Sequence, residues 1–336
     1  MKVLFIKLKH IGDALIMTPA LAAARSLWPD ARIDALVRGS TEGILKGCLA
    51  LNNIYTTAVP EKRLRKGVQF MRDVRLINKL RQEKYDWIFE LSGNDRGRFM
   101  AVAIGAKNLC ANTRRKFPVW ARPFFNRKST ADYTGTHWVL RDLDLVKTCA
   151  GYEGEAPSLQ FDRSFADWSW VQGHLKDSPI VLHPVTRWKR KMWPLDKWKL
   201  LAQKLSQIAP LVISSGPSAE EIEFAGQIAP ACPQRVIVTE GALDWSQMAG
   251  LLYSSRMLVS LDTATMHLGA ACQIPLVAIF GPGDPVEFGP WQCPSEVVRP
   301  PSSALLEPSE SVIASIGVED VFEACQRVLT EKEARV

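Results

Sequence analysis

Between Met257 and Phe280 the chain sets two apolar runs, M-L-V-S-L and I-P-L-V-A-I-F, on either side of a nine-residue helical stretch, Ala264 to Cys272. Neither run alternates with polar residues, which is the pattern of strands buried on both faces, and a helix between two such strands implies a parallel sheet with helical cover. Asp262 and Thr263 fall where the first strand hands over to the helix. The carboxyl edge of a parallel sheet collects ligands. A helix beginning there also leaves its first N–H groups and the positive end of its dipole open to an anion. Taken alone, Asp262 reads as the helix cap, a common use of Asp in that place.

The same order recurs along the chain. Strand-like runs at Val3–Leu8, Ile33–Val37, Ile54–Val59 and Trp87–Leu91 alternate with helical patterns at Pro19–Leu27, Phe70–Arg81 and after Asp95. Trp138–Cys149 is a further amphipathic helix, and the polar G-Y-E-G-E-A-P that follows separates a second alternating series beginning at Ile180. The fold class expected is therefore α/β, with two doubly wound, Rossmann-like domains over residues 1–165 and 172–316 and a closing helix at 317–333 that packs back toward the first domain.

The first strand is interrupted by Lys7 after a short apolar run, so it does not read as a secretory signal, and no apolar run approaches the roughly 20 residues that cross a bilayer. A soluble or peripheral protein is expected. Seven cysteines without a C-x-x-C pair point to reduced, cytoplasmic thiols, and five scattered histidines show no zinc spacing. Asp142-Leu143-Asp144 spells D-x-D, a pattern that can hold a metal-bound nucleotide. It lies inside a helix, where positions i and i+2 point nearly opposite ways, and reads as two solvated carboxylates.

Charge divides the chain unevenly: residues 1–168 hold 28 Lys and Arg against 17 Asp and Glu, whereas residues 169–336 hold 14 against 18. The excess gathers at 62–84 and 114–128. The first segment carries an apolar stripe of Phe70, Val74, Ile77 and Leu80 and reads equally as a solvated helix face. The second, F-P-V-W-A-R-P-F-F-N-R-K at 117–128, interleaves aromatic and basic residues as a membrane interface does. No nucleic-acid motif accompanies the charge, so no nucleic-acid partner is expected.

Three loops could carry chemistry. After the first strand, K-L-K-H-I-G-D places Asp13 at a sheet's carboxyl edge, as a general base or as a helix cap. After Ile180–His183, H-P-V-T-R-W-K-R-K-M-W-P gathers Arg187, Lys189, Arg190 and Lys191, a set suited to a diphosphate. After the next strand, S-S-G-P-S-A-E-E puts Glu220 and Glu221 in a helix's first turn, where a carboxylate can accept from ribose hydroxyls. Neither G-x-G-x-x-G after the first strand nor G-x-x-x-x-G-K-[ST] occurs. Trp188, Trp193 and Trp291 lie in these loops as candidates for stacking on a sugar.

K-L-K-H-I-G-D-A-L-I-M-T-P, R-W-K-R-K-M-W-P and S-L-D-T-A-T-M-H-L-G-A-A-C-Q-I-P-L-V-A-I-F-G-P-G-D-P resemble, in order, three signature regions of the ADP-heptose:lipopolysaccharide heptosyltransferases, glycosyltransferase family nine. E-L-S-G-N-D-R-G-R at 90–98 is similar to the heptosyltransferase III branch. The resemblance implies a GT-B architecture, two Rossmann-like domains facing across a cleft, with the acceptor on the first and the donor on the second. It implies inverting, metal-independent transfer of a heptose from ADP-heptose to a hydroxyl of the lipopolysaccharide inner core, with no cofactor. An anionic core acceptor and peripheral contact with the cytoplasmic face of a Gram-negative inner membrane belong to the same expectation.

Carried over by motif, Asp13 is the expected base. Thr186, Arg187, Lys191, Glu221, Asp262, Thr263, Ala264 and His267 are expected at the donor, and Lys7, Lys9, His10, Arg96, Arg114 and Arg115 at the acceptor. The family's usual D-T-G reads Asp262-Thr263-Ala264 here. Two other classes remain open from the residues, a nucleic-acid-binding module suggested by the basic first half and a catalytically silent nucleotide-sugar sensor; within enzymes the rival is a transferase for another nucleotide sugar or acceptor.

Overall fold

The computed structural model describes residues 1–58, 66–114, 117–232, 236–301 and 312–333. They divide into two compact units, Met1–Gln160 and Phe161–Val336. The first unit runs β1 (Lys2–Lys7), α1 (Ile11–Ile16), α2 (Thr18–Leu27), β2 (Arg32–Arg38), β3 (Asn53–Thr57), α3 (Lys66–Gln82), β4 (Trp87–Glu90), α4 (Asp95–Ile104), β5 (Asn108–Asn112), β6 (Arg127–Ser129) and α5 (Trp138–Ala150). The second runs α6 (Ser169–His174), β7 (Ile180–His183), α7 (Leu195–Leu205), β8 (Leu211–Ile213), α8 (Ala219–Gly226), β9 (Val236–Val238), α9 (Trp245–Tyr253), β10 (Met257–Leu261), α10 (Ala264–Ala271), β11 (Leu276–Ile279), α11 (Pro285–Phe288), β12 (Ser295–Val298) and α12 (Val318–Glu333).

Each unit holds a six-stranded sheet, in the orders β3-β2-β1-β4-β5-β6 and β12-β11-β10-β7-β8-β9. Every strand pairing is parallel. Numbered within its own unit, the second sheet has the same order as the first, the Rossmann order 3-2-1-4-5-6. Its consequence is positional. Strand order reverses between β1 and β4 in one unit and between β7 and β10 in the other, so the loops that leave these strands flank the place where a doubly wound sheet accepts a ligand.

The central strands are apolar because helices cover both faces: Val3 to Ile6 and Met257 to Val259 are fully buried. Edge strands β6 (R-K-S) and β12 (S-E-V-V) are short and half exposed, and carry no apolar run that would mark them in sequence. The closing helix spends its apolar face on its own unit. Val321, Ala324, Cys325 and Val328 join the core built on β7, β8, β10 and β11. Trp193 is likewise a core residue and no sugar platform. It is fully buried, meets Trp198 edge-on at 5.2 Å and donates its indole N–H to the Ile316 carbonyl at 3.2 Å.

Candidate active site

Thr263, and not Asp262, is the N-cap residue of α10, and its side chain makes no capping hydrogen bond. The capping role read from sequence is thereby corrected. The Asp262 carboxylate turns instead to the ammonium of Lys191, with which it forms a close, mostly buried ion pair. Lys191 closes a short 3-10 turn, Lys189–Lys191, in the loop that leaves β7. Two residues 71 positions apart thus meet because β10 and β7 are paired neighbours in the sheet. Gly283 makes room for the pair: a Cβ there would lie 2.7 Å from Asp262 Oδ2. Among the described residues no side chain caps the first-turn N–H groups of α10 beside this pair, so a cation and an uncapped helix start occupy one edge of the sheet.

Beneath the helix start lies His183, the last residue of β7, which sequence inspection did not select. Its Nδ1 is 2.9 Å from the Ser214 hydroxyl after β8, and its Nε2 is 3.2 Å from the Thr265 hydroxyl in the first turn of α10. Ser214 can also donate to the Leu182 carbonyl at 3.2 Å. Burial pushes the imidazole down to about 4, so at neutral pH it is an uncharged strut between β7, β8 and α10. The available signal was the terminal His of a wholly apolar strand. His267 is buried on α10.

The next loop, after β8, carries Ser218 as N-cap of α8; its hydroxyl accepts from the Glu221 N–H at 3.3 Å. The Glu221 side chain folds back against Gly216, so closely that a Cβ at 216 would collide with its carboxylate. Glu220 points into solvent, 3.8 Å from the equally exposed Lys189. Glu221 is therefore the carboxylate at the sheet edge. Thr186 is half buried, and its hydroxyl lies 3.5 Å from the Trp188 N–H. Trp188 is 49% exposed, and its ring has the Arg187 and Arg190 guanidinium carbons each 5.9 Å from its centre. Ala264 is half buried at the first helical position of α10.

In the first unit, Asp13 sits in the first turn of α1 and accepts from the His10 N–H at 3.1 Å, which orients the carboxylate while leaving it half exposed. Lys7 departs from expectation. It is buried at 1% exposure, and its ammonium contacts both oxygens of Asp142 at 2.6 and 2.7 Å. It is committed to this ion pair and is not a solvent-facing acceptor contact. The same contact corrects the D-x-D reading, because Asp142 is not solvated. Asp144 accepts from Tyr133 at 2.7 Å, Thr148 at 3.1 Å and the Ser129 hydroxyl, so each carboxylate is held by neighbouring side chains.

Lys9 lies 3.6 Å over the Trp138 ring. Burial, and then the positive charge of Lys7, push its ammonium down to about 8, while Asp13, Asp142 and Glu90 pull the other way. Glu90, also missed in sequence, ends β4 and is buried; burial raises its carboxyl to about 7. It accepts from the N–H groups of Ser92 at 2.9 Å and Gly93 at 3.2 Å. His10 is exposed. Arg96 pairs with Asp73 at 2.7 Å and Arg114 with Asp132 at 2.8 Å, both at the surface where such pairs hold weakly. Arg115 lies outside the described residues.

Comparison with known proteins bears on the family and the fold. The family described as Glycosyltransferase family 9 (heptosyltransferase) matches residues 74–307. Lipopolysaccharide heptosyltransferase 3 of Escherichia coli K12 is 24% identical, with 96% of this chain and 97% of that protein covered. Among solved structures, a family 9 glycosyl transferase from Veillonella parvula superposes with a TM-score of 0.85 at 19% identity, covering 98% of this chain and 97% of the other. The E. coli heptosyltransferase WaaC with ADP gives a TM-score of 0.79 at 21% identity, covering 98% of this chain and all of that one. With the family matched across most of its length and the double Rossmann fold matched across nearly all of it, the chain belongs to glycosyltransferase family 9.

Proposed function

We propose that this glycosyltransferase moves a heptose from ADP-heptose to a hydroxyl of the lipopolysaccharide inner core, with inversion and without a metal, at the cytoplasmic face of a Gram-negative inner membrane. The observation that carries the reading is the Lys191–Asp262 pair beside the uncapped start of α10. In this reading the diphosphate sits on the helix N–H groups and Lys191, Glu221 accepts from the ribose hydroxyls, and Thr186, Arg187 and His267 complete the donor contacts. Asp262 positions the lysine.

The step is a single displacement. The acceptor oxygen forms a bond to the anomeric carbon as the bond from that carbon to the diphosphate oxygen breaks. ADP leaves with the electron pair, and the acceptor proton passes to Asp13. Charge developing on the departing diphosphate falls on Lys191 and the helix start, which do the work a metal does in other transferases. Lys9, His10, Arg96, Arg114 and Arg115 are the candidates to receive the anionic acceptor. Ala264, which adds a methyl where the family pattern has glycine, bears on the choice of sugar.

A panel of nucleotide sugars read by thermal stabilisation tests the donor, with ADP-heptose expected to protect most. Asp13→Ala should cut transfer by about 10²- to 10⁴-fold. Its protection by ADP-heptose should stay at the wild-type level. Wild-type turnover in that variant, or no protection by ADP-heptose, refutes the proposal. Protection without transfer in the wild type marks a silent sensor.

A further inference from the structure

The segment 117–128 contains no acidic residue, and the structure sorts its apolar side chains into two sets. Phe117 and Phe125 are buried in the first unit's core, edge-on to each other at 5.4 Å, with the Arg98 guanidinium 4.7 Å over the Phe117 ring. They pin the segment at both ends. Between them Val119, Trp120 and Phe124 project outward and remain 78%, 45% and 53% exposed. Three large apolar side chains held in water within six residues mark an interaction surface rather than scattered surface apolarity.

The charge around them selects the partner. Thr113, Arg122 and Lys128 line a cavity of about 320 Å³. Neither cation has a carboxylate partner among the described residues. α4 packs on both this turn and α3, the two helices being joined by the Arg96–Asp73 pair, and Phe99 of α4 and Phe70 of α3 are both exposed. A second copy of the chain would bring like charges face to face in a symmetric contact. An anionic lipid surface brings opposite charge to the cations and an interface suited to Trp and Phe.

We propose that Val119, Trp120 and Phe124, with Arg122 and Lys128, form a docking surface for a bilayer containing anionic phospholipid, the aromatic side chains entering the headgroup region and the cationic cavity taking a headgroup phosphate. The proposal rests on the reading above only in that a membrane-borne acceptor gives docking a use.

The test is co-sedimentation of the full-length protein with vesicles of phosphatidylcholine alone and of phosphatidylcholine mixed with phosphatidylglycerol. Binding should require phosphatidylglycerol and weaken as salt is raised. Arg122→Ser with Lys128→Ser, and separately Trp120→Ser with Phe124→Ser, should each lower partitioning roughly 30-fold or more. Both pairs substitute exposed side chains, so wild-type melting profiles are expected, and either pair suffices if the other misfolds. Equal binding to both vesicles, binding to neither, or variants that sediment like the wild type would overturn the docking. Stabilisation by inorganic phosphate without vesicle binding assigns the cavity to a soluble anion, and salt-resistant binding of RNA in place of vesicles assigns the surface to nucleic acid; each overturns it too. Vesicle binding is read without donor or acceptor, so its failure is separable from failure of the transferase reading.

Discussion

His183 offers a test in which one buried imidazole is read through pH. Burial lowers it from its ordinary 6.5 to about 4, so between these values the unfolded chain binds a proton that the folded chain refuses. Stability then rises with pH: the contribution is fully present above 6.5 and is lost as pH falls toward 4. Between pH 7 and pH 5 the two proton affinities imply a loss of about 2 kcal/mol. Glu90 works in the opposite direction, since its carboxyl is raised from 4.5 to about 7 and the folded chain takes up the proton first. Acidification over the same interval therefore relieves about 2 kcal/mol of buried-charge cost at Glu90. The wild type alone would hide both effects. Urea unfolding of wild type and His183→Asn at pH 7 and pH 5 separates them, because the difference between the two proteins cancels every group they share. The variant should be less stable at pH 7 by roughly 1–3 kcal/mol, the cost of disturbing the Ser214 and Thr265 contacts. At pH 5 the gap should nearly close. A gap that stays constant across this range would refute the assignment of His183 as a neutral strut.

Lys191→Met should lower transfer roughly 100-fold and abolish thermal protection by ADP; unchanged values for both remove Lys191 from the donor site. Lys7→Met should destabilise the first unit by about 3–5 kcal/mol in urea unfolding, because it leaves Asp142 buried without its cation, and adding Asp142→Leu should recover much of that loss. No recovery in the double variant would mean the cost lies in packing rather than in an unpaired charge. Gly97→Ala would set a Cβ 2.7 Å from Ser92 Oγ and against the Glu90 carboxylate, and should cost about 1–3 kcal/mol; a wild-type melting temperature would show that the β4–α4 loop yields without strain.

Much of the fold was legible because its signal is local. The continuous apolar runs of β1, β7, β10 and β11, and the helical stripes of α3, α5 and α12, each report which side of one element meets the core. Strands β5, β6 and β12 escaped, because N-L-C-A-N, R-K-S and S-E-V-V are too short and too mixed with polar residues to stand out as apolar runs. The loops at the carboxyl ends of β1, β7, β8 and β10 were also legible, since their residue types survive without knowledge of their partners.

What only the tertiary structure decided is which of those residues are spent and on what. Lys7 looked like a cation for an anionic acceptor, yet it is bound to Asp142, 135 residues away. Asp262 looked like a cap and is a partner of Lys191. His183 and Glu90 looked like ordinary ends of strands, and burial shifts the proton affinity of both. By itself the sequence determined the elements and the chemistry available at their ends, because hydrophobic period and turn residues act over a few positions. The strand order determined the partners, because sheet pairing brings distant loops to one edge, and the free energy of a charge depends on what it meets there and how much water remains.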